Sequence, residues 1–175
     1  MAQKTAEEER LSALILVSSI PPAEINVVTP RVLRLLRLKY LPLILLRRPF
    51  LLEEKDFLRQ WLASIPESRQ PDLVKQMVPE ASHLISEFFS CRIGVNRNRI
   101  RCPVLVVCGR EDRVVPVASM REVALWLEAD FREYSNHGHW MMEEEEGEWI
   151  VRDLHRWVIQ RLGEEIFLVD FSESR

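Results

Sequence analysis

Pro103-Val-Leu-Val-Val-Cys-Gly-Arg-Glu-Asp112 is the stretch whose reading decides the fold. Its valine-rich core is closed by a glycine and shows no polar alternation. A strand of that kind is covered on both faces, as in a parallel sheet sandwiched between helices. Downstream, Val117 to Leu127 reads as an amphipathic helix after Pro116, and Asp130 to Tyr134 as a weaker strand. Glu148 to Leu162 reads as a second helix with Ile150, Leu154, Trp157 and Val158 on one face. Upstream, Leu11 to Ser18 is a nearly continuous apolar run closed by Ser-Ser-Ile-Pro-Pro, which fits a buried strand, with a helix core as the rival reading. Strands alternating with helices imply right-handed crossovers and a parallel sheet of about three strands.

Between Glu24 and Arg99 the pattern turns helical and is broken by prolines. Val32, Leu33, Leu36 and Tyr40 recur at helical spacing, as do Phe57, Trp61 and Leu62, and later Leu84, Ile85, Phe88 and Phe89. This insertion is far longer than the ~12 residues a parallel crossover requires. Three parts are expected: 1–23, a helix end and first core strand; 24–99, a helical insertion; and 100–175, the C-terminal core.

Composition narrows the classes of function. The chain has 175 residues, 47% of them hydrophobic, enough for a globular domain or a large piece of one. A net charge of −3 gives no global attraction to nucleic acid or to an anionic membrane. The longest greasy segment, Leu41 to Leu46, falls far short of the ~20 residues that span a bilayer. The three cysteines, Cys91, Cys102 and Cys108, have no C-x-x-C spacing, so neither a disulfide framework nor a zinc site is suggested. Residues 1–10 are charged and unlike a secretory signal, so a cytoplasmic location is expected.

Two short motifs carry the candidate chemistry. Asp112 follows the strand that ends at Gly109, and Asn136-His-Gly-His139 follows the next strand. A carboxylate and a histidine so placed can act as acid and base, whereas each alone reads as a turn residue. His137 and His139 form an H-x-H pair with no third ligand cluster nearby, so no metal is expected. Arg31, Arg34, Arg37, Lys39, Arg47 and Arg48 read as the solvated face of a helical layer rather than a membrane surface. His155 reads as a surface residue, and Cys102 and Cys108 as packing groups. Glu143 to Glu146 reads as negative charge complementing the dipole of the last helix.

On these residues the chain resembles the C-terminal half of the α/β-hydrolase fold. In that family a strand ending in G-x-x-D delivers the triad acid, and a Gly-His after the next strand delivers the base. The resemblance implies Asp112 and His139 for those roles. It further implies that residues 3–9 end the nucleophile helix, that Leu11 to Pro22 hold the following strand, and that residues 24 to about 98 form a helical cap. The implied fold is a partial α/β-hydrolase with a truncated sheet, and the implied reaction is hydrolysis of carboxylic ester or amide-like bonds in a small-molecule substrate, without a cofactor.

The nucleophile is not in this chain. G-x-S-x-G needs glycines four apart, and Gly94, Gly109, Gly138, Gly147 and Gly163 never show that spacing. The residues two before each glycine are Arg92, Val107, Asn136, Glu145 and Arg161, which excludes a Ser, Cys or Asp nucleophile at any such elbow. The chain alone is therefore expected to be inactive, with its serine upstream of Met1. The other expectation is a true short form: a hydrolase-like binding module, or half of a split enzyme completed by another chain. The apolar edge near Leu11 to Ser18 would then be the place for a second copy or a complementing chain.

Overall fold

The computed structural model describes residues 2–25, 39–82, 86–87 and 93–163. Helix α1 spans Ala2–Glu8 and strand β1 Leu14–Val17. Among the described residues, three short α-helices follow, α2 over Leu41–Leu45, α3 over Glu54–Gln60 and α4 over Gln70–Val74. Then come β2 over Val104–Gly109, α5 over Val117–Leu127, β3 over Asp130–Tyr134 and α6 over Gly147–Leu162. The expected periodicities at Val32, Leu33 and Leu36 and at Leu84, Ile85, Phe88 and Phe89 lie outside the described residues.

The three strands form a parallel sheet in the order β1-β2-β3, with Leu14 opposite Val104 and Leu105 opposite Asp130. All six residues of β2 are buried, as its unbroken apolar run requires. Val104, Val106 and Cys108 point to one face, where Leu14 and Leu16 of β1 meet Ala6 of α1 and Met120, Val123 and Ala124 of α5. Leu105 and Val107 point to the other face, against Met141 and against Ile150, Leu154 and Trp157 of α6. Alternation along the strand thus splits one apolar run between two helix layers. Each fully buried Val or Leu contributes about 1.5–3 kcal/mol of transfer free energy.

β1 is shorter than the apolar run that predicts it. The ladder begins at Leu14, whose N–H donates to the Pro103 carbonyl at 2.9 Å. Pro103 has no N–H to return the bond, so pairing cannot extend further toward Leu11.

The helical segment between β1 and β2 has a core of its own, formed by Tyr40, Ile44, Phe50, Leu52, Phe57, Leu62, Ile65 and Leu73. Tyr40 stacks on Phe50 with centroids 4.7 Å apart, and its hydroxyl accepts the Glu53 N–H at 2.8 Å. Pro42 and Pro71 sit in the first turns of α2 and α4, the helix positions that tolerate a missing N–H. An antiparallel bridge between Phe50 and Glu80 closes this layer.

Helix α5 ends on a left-handed residue, Glu128, with φ 54° and ψ 38° and an exposed side chain. That conformation favours glycine at a helix C-terminus. Glu128→Gly relieves a left-handed penalty of about 1–2 kcal/mol at a cost of about 0.4–1 kcal/mol in unfolded-state entropy, and is therefore expected to stabilise the fold by about 1 kcal/mol or less, measured as a higher urea midpoint with an unchanged slope.

Candidate active site

The site is built where β2 and β3 run out of the sheet side by side. Beyond the strands the pairing continues into the loops: Arg110 N–H donates to the Tyr134 carbonyl at 2.9 Å and Glu111 N–H to the His137 carbonyl at 2.8 Å. The two loops approach so closely that only glycine fits at the end of β2. A Cβ on Gly109 would lie 2.2 Å from the His137 carbonyl oxygen and 2.4 Å from that of Gly138.

This approach brings the two predicted residues together. His139 Nδ1 lies 3.0 Å from Asp112 Oδ2. The Asp112 side chain is completely buried, and that of His139 is 15% exposed. The other carboxylate oxygen, Oδ1, accepts the N–H groups of Val114 at 2.8 Å and Val115 at 2.9 Å. These bonds fix the carboxylate and offset the large cost of burying a charge. Since a carboxylate only accepts, Nδ1 carries the shared hydrogen, and in the neutral form of the ring Nε2 is the nitrogen with the free lone pair.

His137 is turned away from this pair. It is buried, with Nδ1 2.8 Å from the Ser135 carbonyl oxygen and Nε2 3.1 Å from that of Glu145. The H-x-H spacing therefore places one ring toward Asp112 and the other into the loop. Asn136 precedes them at φ 63°, a left-handed turn position that asparagine tolerates.

Three side chains of the inter-strand helical segment brace the histidine loop. Phe57 meets Trp140 edge-on at 5.5 Å. Arg69 donates to both the carbonyl and the carboxylate of Glu143, at 2.6 and 2.7 Å. Ser64 lies against Gly138, its Oγ 2.6 Å from where a Cβ would stand.

The residues of the acidic run differ in their surroundings. Glu146 is the N-cap of α6 but makes no side-chain capping bond, and Glu143 pairs with Arg69. Glu144 is buried, with both carboxylate oxygens 2.9 Å from the Gly138 nitrogen. Burial pushes its carboxyl above the ordinary carboxylate range, opposed by the bond from Gly138 and the charge of nearby His137. Four consecutive glutamates read as a solvated surface in sequence. Which one turns inward is set by the turns between His139 and α6, and the sequence holds no local signal for it.

The described cysteines are poor nucleophiles. Burial, with smaller contributions from Glu133 and Asp112, pushes the Cys108 thiol up to about 12, and burial raises that of Cys102 as well. At neutral pH neither is a significant thiolate. Cys108 is expected to resist an aromatic disulfide reagent in the native protein and to react on denaturation, with the labelled peptide read by mass spectrometry. His155 is exposed, as expected.

The sequence matches the model of the Alpha/beta hydrolase family over residues 2–153, and the chain belongs to that family. No curated protein matches it. Similar solved structures include a monoacylglycerol lipase from Paleococcus ferrophilus, 15% identical with a TM-score of 0.55, matched over 91% of this chain and 63% of the lipase. MenH from Staphylococcus aureus is 17% identical with a TM-score of 0.59, and the match covers 91% of this chain and 63% of MenH. An alpha/beta fold family hydrolase from Bacillus anthracis is 17% identical with a TM-score of 0.54, matched over 92% of this chain and 63% of that one. At these identities the likeness is one of fold. The chain spans less than two thirds of the length of each of these structures. No helix among the described residues is long and apolar enough to cross a membrane.

Proposed function

We propose that this chain carries the base and the orienting acid of a serine-type hydrolase, His139 and Asp112, and that the nucleophile comes from polypeptide outside these 175 residues. The observation that supports this reading is the 3.0 Å contact between His139 Nδ1 and the buried Asp112 carboxylate. In the completed site, Nε2 of His139 takes the serine proton as the hydroxyl attacks the carbonyl carbon of an ester or amide-like bond. The tetrahedral intermediate then collapses, and the same proton passes to the leaving group. Asp112 holds the ring in the required tautomer and stabilises the imidazolium that forms.

Residues 24–99 act in this reading as the cap over the site, and small molecules are the substrates. Its contacts with the histidine loop, through Phe57, Ser64 and Arg69, support that role. With no activated hydroxyl, the chain by itself performs no covalent step. The test is a fluorophosphonate probe, which reacts with activated serines. It is expected to leave the 175-residue chain unlabelled and to label a serine upstream when the in-frame upstream polypeptide is present. Labelling of any serine within the 175 residues would overturn the proposal.

A further inference from the structure

We infer that Glu144 is a positioning residue for His139, holding the Gly138–His139 peptide through the Gly138 N–H so that the imidazole meets Asp112. This rests on the reading of Asp112 and His139 as an acid–base pair. Both Glu144 oxygens lie 2.9 Å from the Gly138 nitrogen, one residue before His139, and the side chain is buried.

A loop that merely needed filling would be better served by an apolar side chain. Burying a carboxylate against a single backbone donor costs more than its hydrogen bond returns in stability. What the side chain provides is a directional oxygen acceptor at one point on the loop. That point lies between two other constraints. Below it, the end of β2 presses against the carbonyls of His137 and Gly138, as the space at Gly109 shows. Beyond it, Trp140 is held by Phe57 and Glu143 by Arg69. Glu144 fixes the segment between them, which carries His139. Ser64 sits against Gly138 on the same side as Glu144 Oε1, so that face of the loop is filled and has no room for a side chain at this position.

The experiment is nitrogen-15 NMR of the His139 imidazole in the full chain, reading the ring tautomer and the downfield proton on Nδ1. In the unsubstituted chain Nδ1 is expected to carry the proton, and Asp112→Asn is expected to abolish that signature. Glu144→Ala is expected to lose the downfield proton and mix the tautomers. Glu144→Asp, which keeps the charge but shortens the reach, is expected to weaken it. Glu144→Gln, whose amide oxygen still accepts from Gly138, is expected to restore it. Leu154→Ala, which opens the α6 core, is expected to lower Tm and leave the signature intact. A wild-type signature in Glu144→Asp, and in Glu144→Ala where it folds, would overturn the positioning role while leaving the pair standing. If the unsubstituted chain lacks the signature, or Asp112→Asn retains it, the failure belongs to the pair itself.

Discussion

Asp112→Asn is expected to lower kcat of the completed hydrolase about 10⁴-fold, or roughly 5.5 kcal/mol in barrier, without unfolding the chain. The structure indicates why the loss is large and specific. Oδ1 accepts two backbone N–H groups, from Val114 and Val115, and an asparagine must keep its oxygen there. Its amide nitrogen then faces His139, where a carboxylate oxygen stands at 3.0 Å. A donor opposite Nδ1 forces that nitrogen to accept, which moves the ring hydrogen to Nε2. The base then has no lone pair for the nucleophile's proton. Steady-state ester hydrolysis checks the rate, and an unchanged urea midpoint checks the fold. A loss below about tenfold would mean that Asp112 does not set the tautomer.

Gly109→Ala is expected to cost about 3 kcal/mol or more in stability, at the upper end of overpacking effects. The atoms it would strike, the carbonyls of His137 and Gly138 at 2.2 and 2.4 Å, are backbone, and that of His137 is held by the Glu111 N–H. They can retreat only by separating the Asp112 and His139 loops. Gly138→Ala meets the side chain of Ser64 instead, at 2.6 Å, and a hydroxymethyl can rotate aside. Its cost is expected to be about 1 kcal/mol and to fall further when paired with Ser64→Ala. Urea titration of the three variants separates the cases. Equal costs at the two glycines would contradict the close approach of the loops.

How legible this was in the sequence depended on how local the signal is. The bounds of α5 and β3 follow from Pro116, from the helical apolar spacing to Leu127, and from the short run ending at Tyr134, and the structure reproduces both. That Asp112 and His139 come together was legible because each follows a strand, and strands that pair in parallel deliver their C-terminal loops to the same edge. β1 was over-read at its N-terminal end, because an apolar run does not reveal that Pro103 across the ladder cannot donate. Gly109 read as the end of a strand, but its need to admit two carbonyls depends on His137 and Gly138, in the loop after β3 and nearly thirty residues later in the chain. Glu144 was not legible. It is chemically identical to Glu143, Glu145 and Glu146, and what sets it apart is a turn that brings its carboxylate back onto the Gly138 N–H.

The central claim is that these residues form the acid–base half of a hydrolase that needs a nucleophile from outside the chain. The most direct test is ester turnover measured side by side on the 175-residue chain and on the same chain extended through the reading frame upstream of Met1. The account predicts no turnover above the buffer rate for the first, and turnover abolished by His139→Ala for the second. Hydrolysis by the 175-residue chain alone, or an extended chain that is folded and inert, would contradict it.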